Sequence, residues 1–111
     1  MVKVTILFGR PKDEEAFQKH FNEVHLPAGA KVPGVARIET GKLDTVFSSE
    51  PNPDLYWVVD LWFENENDLE EALKTPEAQA AIEDLVSFAS GGVTVVTSLV
   101  HEEPAVTMPV T

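Results

Sequence analysis

Apolar and polar residues alternate from the start of the chain. Val2, Val4, Ile6 and Phe8 fall on one parity and Lys3, Thr5 and Leu7 on the other, the period of a strand with one face buried. Gly9-Arg10-Pro11 stops that strand. Asp13 is placed to cap a helix whose first turn carries Glu14 and Glu15, the charge sign that suits the positive end of a helix dipole. Ala16, Phe17, Phe21, Val24 and Ala28 follow at helical spacing and form one face, with His20 in its middle.

Pro33-Gly34 closes this helix, and Val35 to about Phe47 reads as a long or bent strand interrupted near Gly41. The stretch from Ser48 to Asp54 holds two prolines and no apolar residue, so it is a loop. Leu55 to Phe63 is almost wholly β-branched, aromatic or leucine and predicts a central strand, with Asp60 its single charge. Leu69, Ala72 and Leu73 open a second helical pattern. Thr75-Pro76-Glu77 restarts it, with Thr as cap and Pro at the first helical position. Ala78, Ala81, Ile82, Leu85 and Ala89 mark its buried stripe, Gly91-Gly92 ends it, and Val93 to Val100 is the last strand.

The order βαββαβ predicts an α+β, ferredoxin-like domain over residues 1–101: a four-stranded antiparallel sheet with two helices on one face. Residues 102–111 form a tail whose prolines oppose regular structure and which is long enough to exchange between copies of the chain. On the third strand Trp57, Val59, Leu61 and Phe63 alternate with Tyr56, Val58, Asp60 and Trp62, so both faces of the sheet are too apolar for water. A second copy laid sheet to sheet, giving a dimeric α/β barrel, is the economical cover.

Composition narrows the partners. The 111 residues suit one domain. Nineteen acidic residues against eight basic ones leave a formal charge of −11, which repels phosphate backbones and anionic headgroups, so neither nucleic acid nor membrane is expected as a partner. The absence of cysteine excludes disulfides and thiolate chemistry and fits a reducing, cytoplasmic setting. The first apolar run is too short for a signal sequence, and no run approaches the roughly 20 residues of a membrane span.

The segment His25-Leu26-Pro27, followed by Val32-Pro33-Gly34-Val35, resembles the helix-end signature of the EthD family. The run Asp60-Leu61-Trp62-Phe63-Glu64 is also similar to that family. So, in order, are Leu69, Ala72-Leu73, Thr75-Pro76-Glu77, Gln79-Ala80 and Phe88-Ala89-Ser90-Gly91-Gly92-Val93. The resemblance implies ferredoxin-like dimers with a pocket between sheet and helices. It carries fold better than activity, because the first-named member has a chemically undefined accessory role in ethyl tert-butyl ether degradation. The wider barrel superfamily includes isomerases, cyclases, quinone-forming monooxygenases and haem-degrading proteins. The helix-end histidine of a methylmuconolactone isomerase falls at the position of His25, but that enzyme's third-strand cysteine is replaced here by Leu61.

His25 is the leading catalytic candidate: an imidazole at a helix end before a proline can reach a pocket mouth and titrate near neutrality. Its alternative role is to hold a loop carbonyl. Asp60, a lone carboxylate in an apolar strand, is the second catalytic candidate, paired with His25 across the pocket or else bonded to a neighbouring polar tip. His20 is a pocket wall or a core histidine. The spacing of five between His20 and His25 is not that of a helical metal pair, so no metal is expected. Phe8, Phe17, Phe21, Tyr56, Trp57 and Trp62 can line a site for a flat apolar molecule or simply fill the core. No dinucleotide fingerprint or P-loop is present, so no cofactor is implied. Three readings stand: a cofactor-free enzyme moving a proton on a small apolar or aromatic carbonyl or lactone, an accessory protein that binds such a molecule, and a dimeric structural domain.

Overall fold

The computed structural model describes residues 1–51 and 54–102. The middle of the Ser48 to Asp54 loop and the tail from residue 103 lie outside the described residues. Strand β1 (Val2–Gly9) runs between β3 (Leu55–Phe63) and β4 (Val93–Leu99), and β2 (Arg37–Lys42) pairs with the far side of β3. Every pairing is antiparallel and the spatial order is β2-β3-β1-β4, which is the ferredoxin-like sheet. The fold is α+β, and β1, β3 and β4 fall where alternation and β-propensity place them. The second strand is shorter than expected: only Arg37–Lys42 pairs, and the chain leaves the sheet after Leu43 donates its N–H to the Tyr56 carbonyl.

Both helical regions divide. The first comprises α1 (Glu14–His20), a π-helical turn (Phe21–His25) and α2 (Leu26–Ala30). Asp13 caps α1 by accepting from the Ala16 N–H. The π turn has a cause in sequence. Pro27 has no N–H to give and its ring would press on the carbonyl one turn back, so the ladder opens before it, and the Leu26 N–H reaches five residues back to the Phe21 carbonyl. The second region is α3 (Glu66–Leu73), capped by Asn65, and α4 (Pro76–Phe88), capped by Thr75 with Pro76 at its first turn. The restart at Thr75-Pro76 is therefore a break between two helices.

The helix layer covers one sheet face. Val2, Val4, Ile6 and Phe8 of β1 are all buried there, with Val59 and Phe63 of β3 beside them. Phe8 is fully buried and meets Phe17 edge-on at 5.1 Å, while Phe17 stacks on Phe21 at 6.1 Å, so the aromatic end of the core is fixed by α1 and the π turn. Strand alternation would send Tyr56 to the opposite face from Trp57. Instead the β1–β3 register slips between Phe8 and Gly9, leaving Tyr56 as an extra residue. The bulge turns Tyr56 toward the helices, where it meets Phe17 edge-on at 5.2 Å and its hydroxyl accepts from Gln18. Among the described residues no helix is long and apolar enough to cross a membrane.

Candidate functional site

Between the helix layer and the sheet lies a cavity of about 130 Å³. Val4, Ile6, Val59, Leu61 and Phe63 form its floor on the sheet, and Phe21, Leu26, Leu69, Ala72 and Leu85 are among its walls. Leu73 and Ile82, both half-exposed, border it and mark where it meets solvent. Among the described residues that line it, His25 is the single polar side chain.

The π turn decides what His25 can do. In an α-helix, residues five apart are separated by roughly 140° around the axis, but one wide turn inserted between them brings them back to one side. His20 and His25 therefore both reach Asp84 on α4. His20 Nε2 lies 2.8 Å from Asp84 Oδ1, and His25 Nδ1 lies 2.9 Å from Asp84 Oδ2. One carboxylate thus ties the first helical region to α4 through both its oxygens. Asp84 escaped the sequence reading because it stands 59 residues from His25 in the chain. The signal was an acidic residue beside the stripe formed by Ala81, Leu85 and Phe88, whose ring lies 4.6 Å from that of His20 and 5.0 Å from that of His25.

Burial lowers the pKa of His25 from its ordinary value of 6.5. The hydrogen bond and charge of Asp84 work in the other direction, and His20 adds to the lowering, so the net shift favours neutral imidazole. With the Asp84 carboxylate facing Nδ1, the neutral ring carries its proton there and donates it to Oδ2. Nε2 is then a bare acceptor, and it has no hydrogen-bond partner among the described residues. A buried neutral histidine held in one tautomer by a carboxylate is the arrangement a general base requires.

The other candidate residues separate. Phe21 shares the cavity wall with His25, whereas Phe8, Phe17 and Tyr56 pack in the aromatic core beyond it, and His20 braces Asp84 from a position one-third exposed. Asp60 and Trp62 are on the opposite sheet face, as the pairings of Thr5 with Asp60 and Lys3 with Trp62 require. The expected Asp60–His25 pair is therefore not formed. Asp60 Oδ1 instead accepts from the Thr5 hydroxyl at 2.6 Å. Trp62 lies between Lys3 and Arg37, 5.2 and 5.5 Å from its ring, and donates its indole N–H to Glu39, so it contributes nothing to the cavity. Trp57 does face the helices, yet its indole N–H is buried without a partner among the described residues and lies outside the cavity lining. His101 is exposed beyond β4. Among the described residues no three His, Asp or Glu side chains are placed to hold a metal ion.

The sequence pattern of the EthD domain matches residues 10–92, which include the described helices, the π turn, β2 and β3. The chain belongs to the EthD family. This EthD chain is 37% identical over 94 residues to an uncharacterized 11.0 kDa protein from the thcB–thcC intergenic region of Rhodococcus erythropolis, covering 85% of this chain and 89% of that one. Its fold matches that of an EthD family protein from Bacillus halodurans with a TM-score of 0.80 at 26% identity, over 91% of this chain and 99% of the other. It also matches SnoaB, a cofactor-independent oxygenase from Streptomyces nogalater, with a TM-score of 0.65 at 15% identity over 92% and 94% of the two chains. At that identity SnoaB shares the fold with this EthD chain.

Proposed function

We propose that this EthD protein binds a small, mainly apolar molecule in the cavity and that His25 serves as its proton acceptor, without a cofactor. One observation carries the reading: the only polar side chain among the described residues on an otherwise apolar wall is a buried histidine whose Nδ1 is held by Asp84 and whose Nε2 is free. Apolar walls with one placed polar group are the usual composition of a small-molecule site. The volume suits a benzene-sized guest, since an apolar cavity of about 150 Å³ takes up benzene. The shared fold of a cofactor-independent oxygenase agrees with chemistry done by the chain's own side chains.

The same cavity serves either of two roles, an enzyme that moves a proton or an accessory protein that holds and passes on the molecule. Benzene followed by amide NMR tests the site itself. Saturable shifts at Phe21, Leu26 and Leu85 are expected, and Ala72→Leu, which places a larger side chain in the void, abolishes them; no saturable shift in the parent protein defeats the reading. Whatever small molecule copurifies then separates the two roles. An enzyme converts it and loses that conversion in His25→Ala, whereas a carrier converts nothing in either form.

The outer sheet face is read as the seat of a second copy. Val58, Trp62 and the half-exposed Val96 lie on it, and a sheet-to-sheet pair would cover them together.

A further inference from the structure

We propose that the cavity selects a molecule by a hydrogen-bond donor, a phenol-type hydroxyl on a benzene-sized ring, with His25 Nε2 as the acceptor, and that it disfavours carbonyl compounds and carboxylates of the same size. The inference rests on the cavity being a ligand site and specifies its chemistry. Nδ1 of His25 is committed to Asp84 Oδ2 at 2.9 Å, so the proton of the neutral ring is on that nitrogen and the other edge of the ring presents a lone pair. A carbonyl oxygen brought to that edge would set acceptor against acceptor. It finds no side-chain donor elsewhere on the wall among the described residues, because the other lining side chains are apolar and the indole N–H of Trp57 is not among them.

A carboxylate fares worse. Lys3 and Arg37, which flank Trp62, are on the opposite face of the sheet, and the chain as a whole carries a formal charge of −11. Burying an anion in an apolar cavity with no cation is costly. A hydroxyl, in contrast, satisfies both itself and the histidine. For an acidic phenol the hydrogen bond becomes a transfer: the O–H bond breaks, its electron pair stays on oxygen, and the proton forms the second N–H of His25. The resulting imidazolium keeps its Nδ1–H on Asp84, and it lies against the phenolate it has created.

The test compares phenol, toluene and benzaldehyde by calorimetric or NMR titration with the full chain and with His25→Leu. Loss of the acceptor leaves a buried hydroxyl unpaired, so His25→Leu is expected to weaken phenol by about tenfold or more. Toluene should change by less than about threefold, because only apolar packing is altered. Benzaldehyde should follow toluene. A phenol affinity that His25→Leu leaves unchanged, or a benzaldehyde affinity that falls in parallel with phenol, overturns the assignment while leaving the ligand site in place. If none of the three binds the parent chain, the site reading itself falls and this inference with it. The unaltered protein gives a second readout that does not depend on a variant folding: the ¹⁵N resonance of His25 Nε2 should move on adding phenol and not on adding toluene, and movement with both or neither contradicts the proposal.

Discussion

Asp84→Ala removes the one carboxylate that receives both histidines, and its cost can be built from the two contacts. His25 is 6% exposed and the Asp84 side chain 20%, so that bond is shielded from water. A hydrogen bond to a charged group contributes roughly 1.5–3 kcal/mol. The His20 side chain is 33% exposed, and its contact is discounted to roughly 0.5 kcal/mol or less by solvent screening. The expected loss is therefore about 2–3.5 kcal/mol, which at about 4 °C per kcal/mol for a domain of this size lowers the melting temperature by roughly 8–14 °C. Asp84→Asn keeps an oxygen for the His25 N–H and should lose only about half as much. Pairing Asp84→Leu with His25→Phe removes donor and acceptor together and should recover most of the loss, since the penalty comes largely from a buried polar group left alone. Urea unfolding at pH 7.5, with a constant denaturant slope, measures these proteins together with the single variants Asp84→Leu and His25→Phe. An Asp84→Ala variant within about 0.5 kcal/mol of the parent, or a double variant as unstable as the two single changes added together, would refute the bridge as a shielded interaction.

The pH dependence of stability follows from His25. Its folded pKa is lowered from 6.5 by burial, so between that value and the folded pKa the unfolded chain holds a proton that the folded chain does not. Stability from this group is full above about pH 6.5 and is lost as pH falls through the window below it. The difference in urea midpoint between the parent and His25→Gln should accordingly shrink from pH 7.5 toward pH 5, and a difference that grows contradicts the assignment. Gly91→Ala should cost more than about 2 kcal/mol, because its Cβ would stand 2.2 Å from the Arg10 carbonyl oxygen and 2.5 Å from that of Gly9, both backbone; thermal unfolding checks this. Val96→Lys on the outer sheet face should convert a dimer to a folded monomer by analytical ultracentrifugation. In the parent, added salt should tighten association, since each copy carries −11.

How far the sequence revealed this molecule depended on the range of the interaction. Alternation in Val2–Phe8, the β-rich run Leu55–Phe63 and the caps Asp13 and Thr75 are local signals, and each produced the expected element. The face of Tyr56 was not legible, because a strand period contains no sign of the bulge that pairing with Gly9 creates. Asp60 looked like a pocket carboxylate because it interrupts an apolar run, but parity put it with Thr5 on the far face. His25 was visible as a helix-end imidazole. Its partner Asp84, 59 residues away, was not, and its alignment with His20 was hidden because a spacing of five looks divergent until Pro27 is recognised as a reason for the ladder to widen.

That chain of causes bears on what the polar pair is for. Pro27 forces the π turn, the π turn aligns His20 with His25, and Asp84 joins both to α4, so a constraint of backbone chemistry ends as a fixed tautomer at the wall of an apolar cavity. Stability alone does not call for a polar pair at this place. A well-packed apolar pair of similar volume could fill the same space at little or no cost, and the lowered pKa shows that burial works against the charge His25 would otherwise carry. A local departure from apolar packing that the fold does not require is most economically explained by the work of the site. Here the departure leaves one free atom, Nε2 of His25, and a molecule bound in the cavity as proposed would meet it there.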